Sequence, residues 1–351
     1  MTPGYLPPEW APQAAVLLTW PHAHGDWADT LHQTEAEVVG FAAAIAAREP
    51  LIVACHDDDH RRHVAERLGH AGVPQARLTL AIAPSNDVWV RDHGPLTVLR
   101  DGRRVALDFR FDGWGGKYPS ALDDTVTAVL AAQGALGTLG LEALPWVLEG
   151  GNIEVDGQGT LLATRPCLLS ETRNDPAAAQ ALLAALPTLL GVSRLLWVDR
   201  GDVLGDDTDG HIDTLARFCD PHTLAYTCAD PADRAQHAAL DGLEEQLAAL
   251  RRADGRPYRL VPLPVPAPLY DADGRRLPAN YANFLIVNGA VLVPTYGDPN
   301  DAVALDRLAG CFADPVSGYG AGRAVVPVPA RAIVGQNGSL HCASMQLPAA
   351  P

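Results

Sequence analysis

Hydrophobic positions along the chain fall into two patterns. Compact β-branched or leucine-rich runs recur as AAVLLTW from Ala14, LIVAC from Leu51, LTLAI from Leu78, PLTVL from Pro95 and VALDF from Val105. They return as LLWV from Leu195, TLARF from Thr214, TLAYTC from Thr223, NFLIV from Asn283, AVLVP from Ala290 and AVVPV from Ala324. Runs of this length predict buried strands. Between them, residues 30 to 48, 58 to 71, 120 to 133, 175 to 190, 232 to 253 and 300 to 313 repeat apolar side chains at a spacing near 3.6, which predicts amphipathic helices. Caps agree with this reading: Asp58 or Asp59 opens the second helix, Asp175 with Pro176 the fourth, and Asp230 with Pro231 the fifth.

Alternating strands and helices make an α/β protein. Several strands, however, are joined by only a few Gly, Asp or Pro residues, as in EVDGQGTLLAT, where Asp-Gly predicts a hairpin turn. Hairpins do not suit a purely parallel doubly wound sheet. A hairpin with one helix, recurring along the chain, predicts a propeller-like set of ββαβ modules. No Gly/Ser linker or low-complexity segment divides residues 1 to 351, so one compact domain is expected.

Charge narrows the partners. The 42 acidic against 26 basic residues leave a formal charge of -16, which argues against nucleic acid and concentrates cations near the surface. The opening MTPGYLPPEW is no secretory signal, and no apolar run approaches the roughly 20 residues of a membrane span. A cytoplasmic location without membrane contact is expected. The six cysteines include no C-x-x-C pair, which fits neither a zinc site nor a disulfide framework.

Four polar, Gly-containing segments interrupt the apolar runs: NDVWVRDHGP from Asn86, LEGGNIEVDG from Leu148, GDDTDGHIDTLARF from Gly205 and NGSLHCASMQ from Asn337. Together they hold Asp87, Asp92, Glu149, Asp207 and Asp213 beside strands, where a buried carboxylate must be paired or costs several kcal/mol. Their recurrence points to a site assembled from loops over a scaffold. If His-Ile-Asp is extended, His211 and Asp213 share one face; alone, that pair reads equally as two metal ligands or a surface pair. No companion His or Cys cluster supports a metal. Cys342 is a buried filler or a nucleophile, and the second reading needs a base, for which His211 is the histidine set in an acidic motif. His341, in an extended chain, would face away from Cys342. Neither a G-x-S-x-G elbow nor a phosphate loop occurs.

Taken together, the PPEW, TWPH and DW opening, NDVWVRDHGP, the Trp-Gly-Gly of Trp114 to Gly116, LEGGNIE, GHID and the final Gly-x-x-x-Cys resemble the agmatine deiminase and bacterial peptidylarginine deiminase family of guanidino-group-modifying enzymes. The resemblance runs from about Pro7 to Gln346. It implies the pentein fold, five ββαβ blades about a pseudo-fivefold axis. It implies Cys342 as nucleophile, His211 as general acid/base, and Asp92 and Asp213 as guanidinium-binding carboxylates. Glu149, Trp89 and Trp114 match pocket positions, and Asp207 and Asp87 are the further substrate-binding candidates. The expected reaction is hydrolytic deimination of a small cationic guanidinium, agmatine first, through a Cys thiouronium. Deimination of arginine or peptidyl-arginine and amidino transfer are the alternatives. No cofactor or metal is implied, and a homodimer is the assembly left open.

Overall fold

The computed structural model describes residues 3 to 312 and 322 to 350. Their strands sort into five small sheets, one of four strands and four of three, as the five-bladed pentein arrangement requires. In the first blade, β1 (Gln13–Thr19) leads through α1 (Leu31–Ala46) to parallel β2 (Leu51–Cys55), and α2 (Asp58–His70) leads on to β3 (Leu78–Ile82). The second blade starts at the turn α3 (Val90–His93), forms the hairpin β4 (Leu96–Arg100) and β5 (Arg103–Arg110), passes the left-handed turn α4 (Gly113–Gly116) and α5 (Val126–Ala132), and returns as parallel β6 (Gly140–Val147).

The third blade pairs β7 (Glu154–Val155) with β8 (Thr160–Thr164), then crosses α6 (Arg165–Leu168) and α7 (Pro176–Leu190) to β9 (Arg194–Val198). The fourth follows the turn α8 (Ile212–Leu215) with β10 (Ala216–Asp220), β11 (Thr223–Cys228), α9 (Arg234–Ala239), α10 (Leu243–Ala249) and β12 (Arg259–Pro264). The fifth holds β13 (Leu285–Val287), β14 (Ala290–Thr295), α11 (Pro299–Phe312) and β15 (Ala324–Pro329). Finally β16 (Ser344–Pro348) pairs antiparallel with β1, so the last strand completes the first blade.

Local chemistry explains most boundaries. The carboxylate of Asp57, one residue before the expected caps, accepts the His60 N–H at 2.8 Å and opens α2. Asp175 caps α7 as expected, and Gly191 ends it at φ 71°. The expected helix 232 to 253 is instead two, because Gly242 sits at φ 76° between α9 and α10 and Asp233, not Asp230, caps the first. The expected helix 120 to 133 begins as a 3-10 turn, TLARF begins as α8, and β6, β12 and β16 are strands that the apolar runs do not predict. Residue 313 of the expected last helix lies outside the described residues. Burial on both sheet faces shows in β1, where Val16 and Leu18 enter one apolar core while Ala15 and Leu17 enter another. No helix among the described residues is long and apolar enough to cross a membrane.

Four blades are entered through a tight polar segment just before their hairpin, and the segment before β16 plays that part in the first. These five segments are stitched into a closed circuit. Gly151 N–H donates to Asp92 at 2.9 Å, His211 meets Glu149 at 2.7 Å, and Arg217 donates to the Phe284 carbonyl at 2.7 Å. Asn283 then bonds Cys342, whose own carbonyl accepts the Arg91 N–H at 3.1 Å.

Candidate active site

Within this circuit lies a cleft lined by Asp26, Asp87, Trp89, Asp92, Trp114, Tyr118, Asp207, Thr208, Gln336, Asn337, Gly338 and Cys342. Six residues expected at the site from the sequence therefore line one cavity. The other three, His211, Asp213 and Glu149, are fully or almost fully buried against them.

Cys342 sits in the turn before β16. Its sulfur accepts the Asn283 Nδ2–H at 3.1 Å and lies 3.5 Å from Asp213 Oδ2. Burial, then the charges of Asp213 and Asp92, push its thiol well above the usual cysteine range. His-Ile-Asp is not extended, as the sequence reading supposed: His211 caps the helical turn α8 and Asp213 is its second residue. Both polar side chains still meet near the sulfur, because a helical turn also keeps close neighbours together. His211 Nε2 is 2.7 Å from Glu149 Oε2, and Nδ1 is 3.6 Å from Asp92 Oδ1. Burial opposes the imidazolium, yet Asp92, Cys167 and Glu149 hold it well above the ordinary histidine range.

Each carboxylate has a different environment. Glu149 is buried but kept low by His211 and by Arg173, whose Nε donates at 2.7 Å. Asp92 accepts Trp114 Nε1–H at 3.0 Å, and burial pushes its carboxyl up to about 6. Asp213, despite burial, is held low by His341, whose Nδ1 lies 2.7 Å from Oδ2. Among the described residues of the site, three buried atoms have no hydrogen-bond partner: His211 Nδ1, Asp213 Oδ1 and Asn337 Oδ1. An unpaired buried acceptor costs about 1–3 kcal/mol, so the site is arranged for something not present in the folded chain alone.

The glycines of the polar segments make this proximity possible. A Cβ on Gly151 would stand 2.5 Å from His211 Nδ1 and 2.8 Å from Asp92 Oδ1, and one on Gly338 would stand 2.3 Å from the Trp89 ring. Trp114 itself adopts φ 58°, an uncommon conformation for a bulky residue that turns its indole N–H onto Asp92. At the cleft mouth Asp207 Oδ2 accepts Tyr118 OH at 2.6 Å and Asn337 Nδ2–H at 2.9 Å. Asp87 accepts Trp27 Nε1–H at 2.9 Å, and burial pushes its carboxyl up to about 6.

Sequence reasoning missed Asn283, His341, Arg173, Tyr118 and Asn337. His341 was expected to face away from the site; because its segment is a turn, its ring instead lies on Asp213. Two donor sets among the described residues, Glu149–Cys167–His211 and Glu9–Glu154–His341, are close enough to hold a metal ion. In each an arginine already provides positive charge, Arg173 on Glu149 and Arg217 on Glu9 and Glu154.

A family model described as Porphyromonas-type peptidyl-arginine deiminase matches residues 5–348. The agmatine deiminase of Stutzerimonas stutzeri is 32% identical, over 98% of this chain and 95% of its own. A cysteine variant of C. jejuni agmatine deiminase with substrate bound superposes at TM-score 0.88 with 30% identity, covering 99% of this chain and 97% of that one. A Porphyromonas gingivalis structure provisionally named an arginine deiminase superposes at TM-score 0.88 with 47% identity, covering 98% of each chain. Fold, polar segments and match over nearly the whole length agree: the chain belongs to the Porphyromonas-type peptidyl-arginine deiminase family.

Proposed function

We propose that this chain hydrolyses agmatine to N-carbamoylputrescine and ammonia through a covalent thiouronium on Cys342. The observation that carries the reading is the unpartnered Oδ1 of Asp213, a carboxylate whose other oxygen lies 3.5 Å from the Cys342 sulfur, with Asp92 nearby. A guanidinium is a planar cation whose N–H groups need acceptors when it leaves water, and Asp92 and Asp213 are the two carboxylates that take that part.

Burial, and then the carboxylates of Asp213 and Asp92, keep the thiol protonated. A cation seated between the carboxylates reverses that field, so substrate arrival favours the thiolate that attacks the guanidinium carbon. His211, held charged by its carboxylate neighbours, protonates the departing ammonia from Nδ1. The now neutral imidazole takes a proton from water, which attacks the thiouronium carbon. Collapse expels the cysteine and releases the ureido product. Glu149 orients the ring through Nε2, and the indole of Trp114 holds Asp92 in place. Asp207 reads the ammonium at the far end of the substrate. The pairing of β16 with β1 supports reading the chain as one domain.

Free arginine is the second reading, favoured by the 47% identity to the P. gingivalis structure. Measuring ureido product and ammonia from agmatine, arginine and peptidyl-arginine tests both. Turnover of agmatine alone supports the first, and turnover of arginine in its place replaces it with the second.

A further inference from the structure

The PPEW segment has no role in the chemistry above, although it contains a buried glutamate. Glu9 is only 8% exposed, and the groups its carboxylate bonds lie far away in sequence. Its Oε2 is 2.8 Å from His341 Nε2 and 2.7 Å from Arg217 Nη2, while Oε1 accepts the Ile286 N–H at 2.6 Å. The other nitrogen of the same ring, His341 Nδ1, is 2.7 Å from Asp213 Oδ2. Ionised carboxylates only accept hydrogen bonds, so a ring clamped between two of them donates from both nitrogens and carries a positive charge. Counting that charge, the buried cluster balances. Glu9, Glu154 and Asp213 face His341, Arg217 and Arg91, the last of which donates from Nε to the His341 carbonyl at 3.2 Å.

We propose that His341, braced from behind by Glu9, is a positioning residue that keeps Asp213 ionised beside the nucleophile. Asp213 is fully buried, and a buried carboxylate without a cationic partner takes up a proton. His341 occupies Oδ2 and leaves Oδ1 for the substrate cation. Glu9 in turn fixes the ring's second N–H; Arg217 and His341 hold its own carboxyl low against the upward pull of burial. The charged groups acting on Asp213 besides His341 are His211, Arg217 and Arg91, with Asp92 close by and the Cys342 thiol 3.5 Å from the oxygen that His341 takes; His341 is the cation that bonds that oxygen. This inference rests on the reading of Asp213 as a guanidinium-binding carboxylate.

The test compares labelling of Cys342 by chloroacetamidine, a small cation, with labelling by its neutral isostere chloroacetamide. The ratio of the two rates reports attraction of a cation and cancels changes in the sulfur's own reactivity. In the unaltered protein the ratio should favour the amidine across pH 6 to 9. In His341→Gln, Asp213 loses its cation and its pKa rises. The ratio should then fall about tenfold or more near neutral pH and recover as pH increases. Glu9→Gln keeps an acceptor for the ring and should show the same pH-dependent loss, only smaller. A ratio unchanged in both variants overturns the inference while leaving the proposed chemistry standing, as does a loss that no pH restores. Failure of chloroacetamidine to label Cys342 in the unaltered protein removes both.

Discussion

Asn283 holds Cys342 at two points, with Nδ2 3.1 Å from the sulfur and Oδ1 3.1 Å from the backbone N–H of the same residue. The Nδ2–H is a donor aimed where negative charge appears when the thiol ionises. Asn283→Asp keeps the oxygen that anchors the turn but replaces the donor with an anion. The turnover number should fall about a hundredfold, with a smaller change in KM and an unaltered circular dichroism spectrum. Kinetics equal to the unaltered protein would remove Asn283 from the site.

Asp92 gives a pH dependence with a definite sign. Burial raises its carboxyl to about 6, and only the anion attracts a guanidinium. The ratio kcat/KM, which reports the free enzyme, should therefore fall as pH drops through about 6. Asp92→Asn and Asp213→Asn should each lower kcat/KM by about a hundredfold or more. Stability should move the other way for Asp92. A carboxylate whose folded pKa lies above its unfolded value destabilises the protein at neutral pH and ceases to do so in acid, by ~3 kcal/mol here. Asp92→Asn should thus melt no lower than the parent at pH 7, a point a thermal scan decides.

Cys342→Ser should abolish turnover, because a serine hydroxyl stays protonated where a thiol can ionise. The carboxylates remain in this variant, so it should still bind agmatine and melt higher in its presence. Loss of ligand-induced stabilisation along with turnover would mean that the cysteine holds the local structure rather than performing the chemistry.

Much of this site was legible because polar segments inside an apolar strand pattern are costly unless they are used. Asp92, Glu149, His211, Asp213 and Cys342 stood out on that ground, and the family resemblance ordered them. Asn283 did not, since NYANF carries no charge and reads as the start of a strand; a strict fivefold repeat would have demanded a fifth polar segment there. His341 was misplaced because the period-two rule was applied to a segment that is a turn. Glu9 was invisible for another reason. Its partners, His341, Arg217 and Ile286, lie more than 200 residues away, and only the closed circuit of blades brings them together. In the fold, β6 and β12 escaped because Glu142, Pro262 and Pro264 interrupt their apolar runs, although both strands are held by parallel pairing to β5 and β11.

The far end of the substrate offers the sharpest test of agmatine itself, whose ammonium lies about four methylenes from the guanidinium. Asp207 is at the cleft mouth, on the loop that enters α8, and its Oδ2 is fixed by Tyr118 and Asn337. Both donors sit on Oδ2, so Oδ1 is the oxygen left for a cationic tail. Neither is itself a cation. Lys117 places its ammonium on the Asp207 carbonyl and on Asp209 instead. Asp207→Asn should raise KM for agmatine about tenfold with little change in kcat, because this contact is remote from the reacting carbon and is made equally in ground and transition states. The same variant should lose much less with a neutral alkylguanidine, which has no ammonium to bind. Tyr118→Phe should show a weaker version of the same pattern, since it frees the carboxylate without removing it. Equal losses of Asp207→Asn on both substrates would show that Asp207 shapes the cleft rather than reading the amine, and no loss on either would take it out of the site.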